Sequence, residues 1–119
     1  MKLRIDGIRD RGDAAKERVV LKVLSDSDAG AFTVFRTDAR DGNATTSVYN
    51  TFWFPNKALS TGDLVVLYSK LGTSSEKMNK DNSKSHFFYW GLAGPIWSDK
   101  TQAAVLLESP DWQTFPLAD

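Results

Sequence analysis

The chain predicts an all-β fold, an immunoglobulin-like antiparallel β-sandwich without a disulfide, on three observations. Apolar residues recur with period two, turn-forming clusters separate the alternating stretches, and no segment sustains a 3.6-residue apolar period. Seven or more short strands punctuated in this way fit two packed sheets or a small barrel. With 119 residues, 41% hydrophobic and 25% charged, the sequence fits a single domain over residues 1–119.

The first strand is expected over residues 2–6, where Leu3 and Ile5 alternate with Lys2, Arg4 and Asp6. A charged turn region follows at 9–16, with at most a short helical turn near Asp13 to Arg18. Val19, Leu21 and Val23 then point one way in a second strand over 17–25. Ser25-Asp26-Ser27-Asp28-Ala29-Gly30 is a turn cluster, since Asp and Ser side chains bond to nearby main chain and Gly accepts positive φ. A third strand is expected at 31–37, a polar connection at 38–46 and a fourth strand at 47–54 that Pro55 stops. Ser60-Thr61-Gly62-Asp63 leads into a dense strand at 64–69. Residues 72–85 read as a mobile polar excursion, and two more strands follow at 87–91 and 103–109.

The sequence holds no Cys, so apolar burial alone must hold the core. Phe52, Phe54, Leu64, Val66, Trp90 and Leu106 are the expected core, at about 1.5–3 kcal/mol per large side chain before conformational entropy is subtracted. The apolar runs Leu64–Leu67 and Ala103–Leu107 are far shorter than the roughly 18 residues of a membrane-spanning helix. The first residues carry no apolar stretch of the signal-peptide kind, so a soluble, cytoplasmic protein is expected.

The composition excludes several chemistries. No Cys and one His leave no thiol chemistry and no ordinary Cys/His zinc site, and no cofactor is expected. Lys plus Arg equal Asp plus Glu at 15 each, which removes the cheapest argument for nucleic-acid binding. The balance is uneven along the chain: residues 1–22 carry seven cations against four anions, and residues 99–119 one against four. Such polarity suits head-to-tail association.

His86, with Asp81, Ser83 and Ser85 nearby, offers the residue types of a hydrolase. Partners this close on one loop seldom assemble into a triad, and His86 is expected at the surface. Asp26-Ser27-Asp28 and Asp38 with Asp41 offer oxygen ligands, but neither spacing is that of an EF-hand, and no metal is expected. Asn43-Ala44-Thr45 fits a glycosylation acceptor by accident of composition.

The aromatic residues carry the stronger functional signal. Period two puts Phe52 and Phe54 on one side of their strand and Trp53 on the other, with Tyr49 and Thr51. With Trp90, Trp97, Trp112, Tyr68 and Tyr89, these aromatics exceed what one small core can hide, so an outward aromatic face is expected to bind a protein or stack on carbohydrate or bases. Lys77, Lys80 and Lys84 add weak phosphate contacts or a solvated loop.

Thr51-Phe52-Trp53-Phe54-Pro55, Leu59, Gly62-Asp63 and Leu64-Val65-Val66-Leu67-Tyr68-Ser69 together resemble the aromatic-Phe-Pro, Leu-x-x-Gly-acidic, strand pattern of lamin tail domains. Tyr89-Trp90-Gly91 resembles that family's Trp-Gly segment, and Ala103-Ala104-Val105-Leu106-Leu107 its closing strand. Lys2-Leu3-Arg4-Ile5 and Arg18 to Val23 match the opening strands more loosely, so the resemblance spans about residues 2–109. It departs from the family at Ala29-Gly30-Ala31-Phe32, where a Leu-x-x-Trp step is usual, and at Ser109-Pro110-Asp111. The resemblance implies an immunoglobulin-like β-sandwich of the type found as an accessory module in bacterial surface or nucleic-acid-processing proteins. Taken with the residues, a module that is not an enzyme and whose partner is a protein, either itself or another, is expected. Binding of carbohydrate or nucleic acid is the alternative.

Overall fold

A computed structural model describes residues 1–118. Its ten strands are β1 (Leu3–Arg9), β2 (Arg18–Val23), β3 (Ser27–Asp28), β4 (Phe32–Arg40), β5 (Asn43–Trp53), β6 (Ala58–Leu59), β7 (Leu64–Tyr68), β8 (Ser75–Met78), β9 (Lys84–Tyr89) and β10 (Gln102–Glu108). The helical content among the described residues is one 3-10 turn, Ala29–Ala31. The fold is therefore all-β, and no helix is long and apolar enough to cross a membrane.

The strands form a five-stranded sheet ordered β1-β2-β7-β9-β8, a three-stranded sheet ordered β10-β4-β5, and the short pair β3-β6. The two larger sheets share one core. Leu3, Val19, Leu21, Val65, Leu67 and Phe88 enter it from the five-stranded sheet, and Phe32 and Val34 from the other. Aromatic rings run across it in a chain: Trp97 meets Trp90, Trp90 meets Phe52, Phe52 meets Phe54 and Phe54 meets Phe88, at centroid distances of 5.1–6.1 Å. Phe54 is buried and Phe52 half-buried while Trp53 is exposed, as the alternation predicted.

Four expectations need correction. Leu64 and Val66 do not join the core between the two larger sheets, although Val66 is buried, because β7 is apolar throughout and its inward residues are Val65 and Leu67. The connection expected at 38–46 is a tight hairpin: β4 extends to Arg40 and β5 begins at Asn43. Asp41 and Gly42 both have positive φ there, 53° and 79°, the requirement of a two-residue type I′ turn.

Residues 72–85 are not a loose excursion, since β8 and β9 pair as a hairpin within them. The sheets are also not wholly antiparallel: β7 and β9 run parallel, with Leu64 opposite Ser85 and Tyr68 opposite Tyr89. Both corrections have one cause. β8 occupies the outer edge and β9 turns back between it and β7, so the chain leaving β7 must pass over the end of β9. It does so at Gly72, where a Cβ would lie 2.4 Å from the Tyr89 ring.

A buried carboxylate fixes one end of the molecule. After a single turn at Asp13, whose carbonyl accepts from the Glu17 N–H, Glu17 is fully enclosed. Its oxygens accept from Gly12 N, Ser69 Oγ, Ile96 N and Trp97 N. A buried charge is tolerable only when its lone pairs are met in this way. Glu17 thereby ties the β1–β2 connection, the end of β7 and the segment carrying Trp97 to one point.

Candidate functional site

The outer face of the three-stranded sheet gathers the largest exposed aromatic group. Leu107 pairs with Thr33 and Thr33 with Trp53; on the next rung Val105 pairs with Phe35 and Phe35 with Thr51. Side chains of paired residues share a face, so none of these six positions presents a charge there. Trp53 and Leu107 are 53% and 46% exposed. Trp112, from the segment after β10, stands edge-on to Trp53 at 5.0 Å and 85° and is 52% exposed. Thr33, Trp53, Leu107, Ser109 and Trp112 line a shallow recess of about 220 Å³.

The Trp53 indole is held in place. Its Nε1–H donates to the Gly30 carbonyl at 2.7 Å. Gly30 is itself locked in the 3-10 turn, where its N–H donates to Asp28 Oδ1 and a Cβ would meet Asn56 Oδ1 at 2.0 Å. The ring thus shows the outside its apolar surface, with its one polar group already bonded.

The other predicted site residues lie elsewhere. Tyr49 does not join Trp53: the register shift between Phe35 and Thr37 separates them, and Tyr49 lies on Arg36, whose guanidinium sits 5.2 Å from the ring centre. Its hydroxyl donates to Asp38 Oδ2 at 2.8 Å, and that bond raises the phenol above its ordinary range. Tyr89 is on the opposite sheet, stacked on Tyr68 at 5.3 Å and 10° with Gly72 against it, so it is no open platform. Trp97 is a core residue, 4% exposed, because the Glu17 anchor draws its segment inward.

The lysines do not converge either. Lys77 pairs with Ser85 while Lys84 pairs with Met78, so the two alternate across the hairpin, and Lys80 lies in its turn. Lys84 and Lys57 both approach Glu76 at 3.4 Å, and these bonds lower the Glu76 carboxyl.

His86 is the clearest departure from expectation. It is 2% exposed, and its Nε2 lies 2.8 Å from Asp63 Oδ2. Asp63 also accepts from Ser60 N and Lys84 N. Burial pushes its carboxyl upward, but the bonds from His86, Lys84 and Ser60 together outweigh burial and hold it below the usual carboxylate range. The loop serines turn away: Ser83 Oγ donates to Asp81 at 2.6 Å, and Ser85 Oγ bonds with Asn79. No base–nucleophile pair therefore forms at 81–86.

The acidic turns have similar local duties. Asp26 accepts from the N–H and hydroxyl of Thr61, which lower its carboxyl, and Asp28 caps Gly30 and Lys57.

Sequence reasoning missed two participants: Gly30 acts through its carbonyl, and Asp63, the partner of His86, is 23 residues away. Trp112 belongs to the aromatic excess, but it lies beyond the strands that periodicity can place, so its meeting with Trp53 was not foreseen. The Gly62-Asp63 turn was visible but reads as an ordinary turn. No family model matches the chain, and no curated protein matches it.

Proposed function

We propose that this chain is a non-enzymatic protein-interaction module, an immunoglobulin-like sandwich akin to lamin tail domains, that docks a protein partner on the outer face of its three-stranded sheet. The observation that carries the reading is the group of Trp53, Leu107 and Trp112, about half exposed on a face whose paired positions carry no charge. Exposed Trp beside aliphatic side chains is the usual composition of an interface centre. The fixed indole favours an apolar protein surface over a sugar. Carbohydrate recognition needs convergent polar groups beside the ring, and the side chains lining the recess bring two hydroxyls, of Thr33 and Ser109, and the Trp112 indole N–H, with no charged or amide group. Base stacking needs an open ring face, whereas Trp112 stands against Trp53.

A photo-crosslinking amino acid in place of Leu107, expressed in cells that make the protein, tests the reading. Covalent protein adducts are expected, and Trp53→Asp should remove them. No adduct, or Trp emission that an oligosaccharide or single-stranded oligonucleotide quenches through Trp53, would replace this reading with the ligand-binding one.

A further inference from the structure

The two larger sheets have four lateral edges, and three of them carry features that discourage pairing with another chain. β1 bears Arg4, Asp6 and Arg9 and shifts register around Gly7. β8 is four residues long with Glu76 and Lys77. β5 is bent by two register shifts against β4. Charges, short length and bulges are the ordinary means of closing an edge. β10 has none of them: it pairs with β4 in unbroken register from Gln102 to Glu108, and Ala103 to Leu107 are all uncharged.

The free main-chain groups of β10 can be assigned. Ser109 N donates to Ala31 O, and Ala39 N donates to Thr101 O. Bonding alternates along an antiparallel strand, so the odd-numbered residues face β4. Ala104, Leu106 and Glu108 turn their N–H and C=O outward, and among the described residues no strand pairs with that side.

We propose that β10 pairs antiparallel with β10 of a second copy, about a two-fold axis at Val105, joining two three-stranded sheets into one of six strands. This goes beyond the docking described above, since the pairing uses the sheet edge and leaves the Trp53 face open. The register is self-complementary. Ala104 falls opposite Leu106 and Ala103 opposite Leu107, so a small side chain meets a large one on each face, with Val105 meeting its own copy at the axis. Gln102 falls opposite Glu108, and no like charges meet. The outward groups of Ala104 and Leu106 become hydrogen-bonded pairs in this register. The Leu107 and Trp53 groups of both copies come to lie on one continuous outer face. Seven residues a side is a small interface, which makes the dimer weak and dependent on concentration.

Sedimentation equilibrium on the intact chain, from about 10 μM to about 1 mM, spans the range of such weak association and should show the mass rising from one chain towards two. Val105→Lys places two ammonium groups opposite each other at the axis and should weaken association at least tenfold, since directly opposed like charges oppose pairing. Val105→Glu should do the same, and an equimolar mixture of the two should restore it. Gln102→Glu keeps an acceptor for Arg36, which donates to this side chain at 2.9 Å. It faces Glu108 of the second copy, so it should also weaken the dimer and decides the matter if the Val105 variants misfold. A chain that is monomeric throughout, or a dimer that neither Val105→Lys nor Gln102→Glu weakens, overturns the pairing. If the chain is monomeric yet crosslinks another protein through position 107, the module stands and only the self-pairing falls.

Discussion

On the five-stranded sheet the outward apolar residues are closed over. Val20 and Val66 are 9% and 7% exposed, and Arg18 and Lys70 lie over the Tyr68 ring at 5.8 and 5.0 Å. The equivalent face of the three-stranded sheet leaves Trp53 and Leu107 half open. Long cationic side chains cover apolar surface with their stems while their heads stay in water; Arg18 and Lys70 do so on the five-stranded sheet, whereas Arg36 of β4 lies over Tyr49 and leaves Trp53 and Leu107 open. An apolar face that the chain does not cover with its own side chains is a surface offered to another molecule. Under the proposed function, the difference separates a face finished by the chain from one left for a partner.

The contrast would break if the closed region proved dispensable. Glu17→Ala removes the acceptor of four donors, of which Ser69 Oγ and Trp97 N are buried, and should cost about 3 kcal/mol or more, since each stranded buried donor costs about 1–3 kcal/mol. Chemical denaturation followed by Trp emission measures it, and a loss within error would show that the anchor is not structural. Gly72→Ala forces the Tyr68–Tyr89 stack to shift and should cost about 1–3 kcal/mol, as overpacking does; a neutral result would mean that the crossing over β9 can relax.

The buried pair sharpens the contrast through pH. The Asp63 carboxyl is lower in the folded state than in the unfolded chain. Its stabilisation is therefore complete above the ordinary carboxylate value, about pH 4, and is lost as pH falls through the folded value. Asp63→Asn should cost about 1 kcal/mol at neutral pH and flatten the acid side of the stability profile. An unchanged acid slope in denaturant titrations across pH would remove Asp63 from that account. Leu107→Ser, on the open face, should change stability by less than about 0.5 kcal/mol, like other surface substitutions, so a large loss there would place Leu107 in the core.

Much of the fold was legible in the residues. The alternations at Leu3–Ile5, Val19–Val23 and Phe52–Phe54 gave both the strands and their inward faces. β7 resisted, because Leu64 to Tyr68 is apolar on both sides and period two cannot tell which residues face the core. The hairpin at Asp41-Gly42 was readable as a turn but not as one of only two residues, since its length depends on how β4 and β5 pair. The aromatic excess did put rings at the surface, with a divided destination: Trp53 went outward, Trp97 inward, and Tyr89 under Gly72.

What the sequence determined by itself was local: which stretches extend, where they turn, and that Trp53 opposes Phe52 and Phe54 across its strand. Those properties follow from side-chain alternation and turn chemistry over a few residues. The tertiary structure decided which strands neighbour one another, and with that the parallel β7–β9 pair, the His86–Asp63 contact and the unprotected position of β10. Each of these joins residues distant in the chain, and their meeting is set by the packing of the whole core.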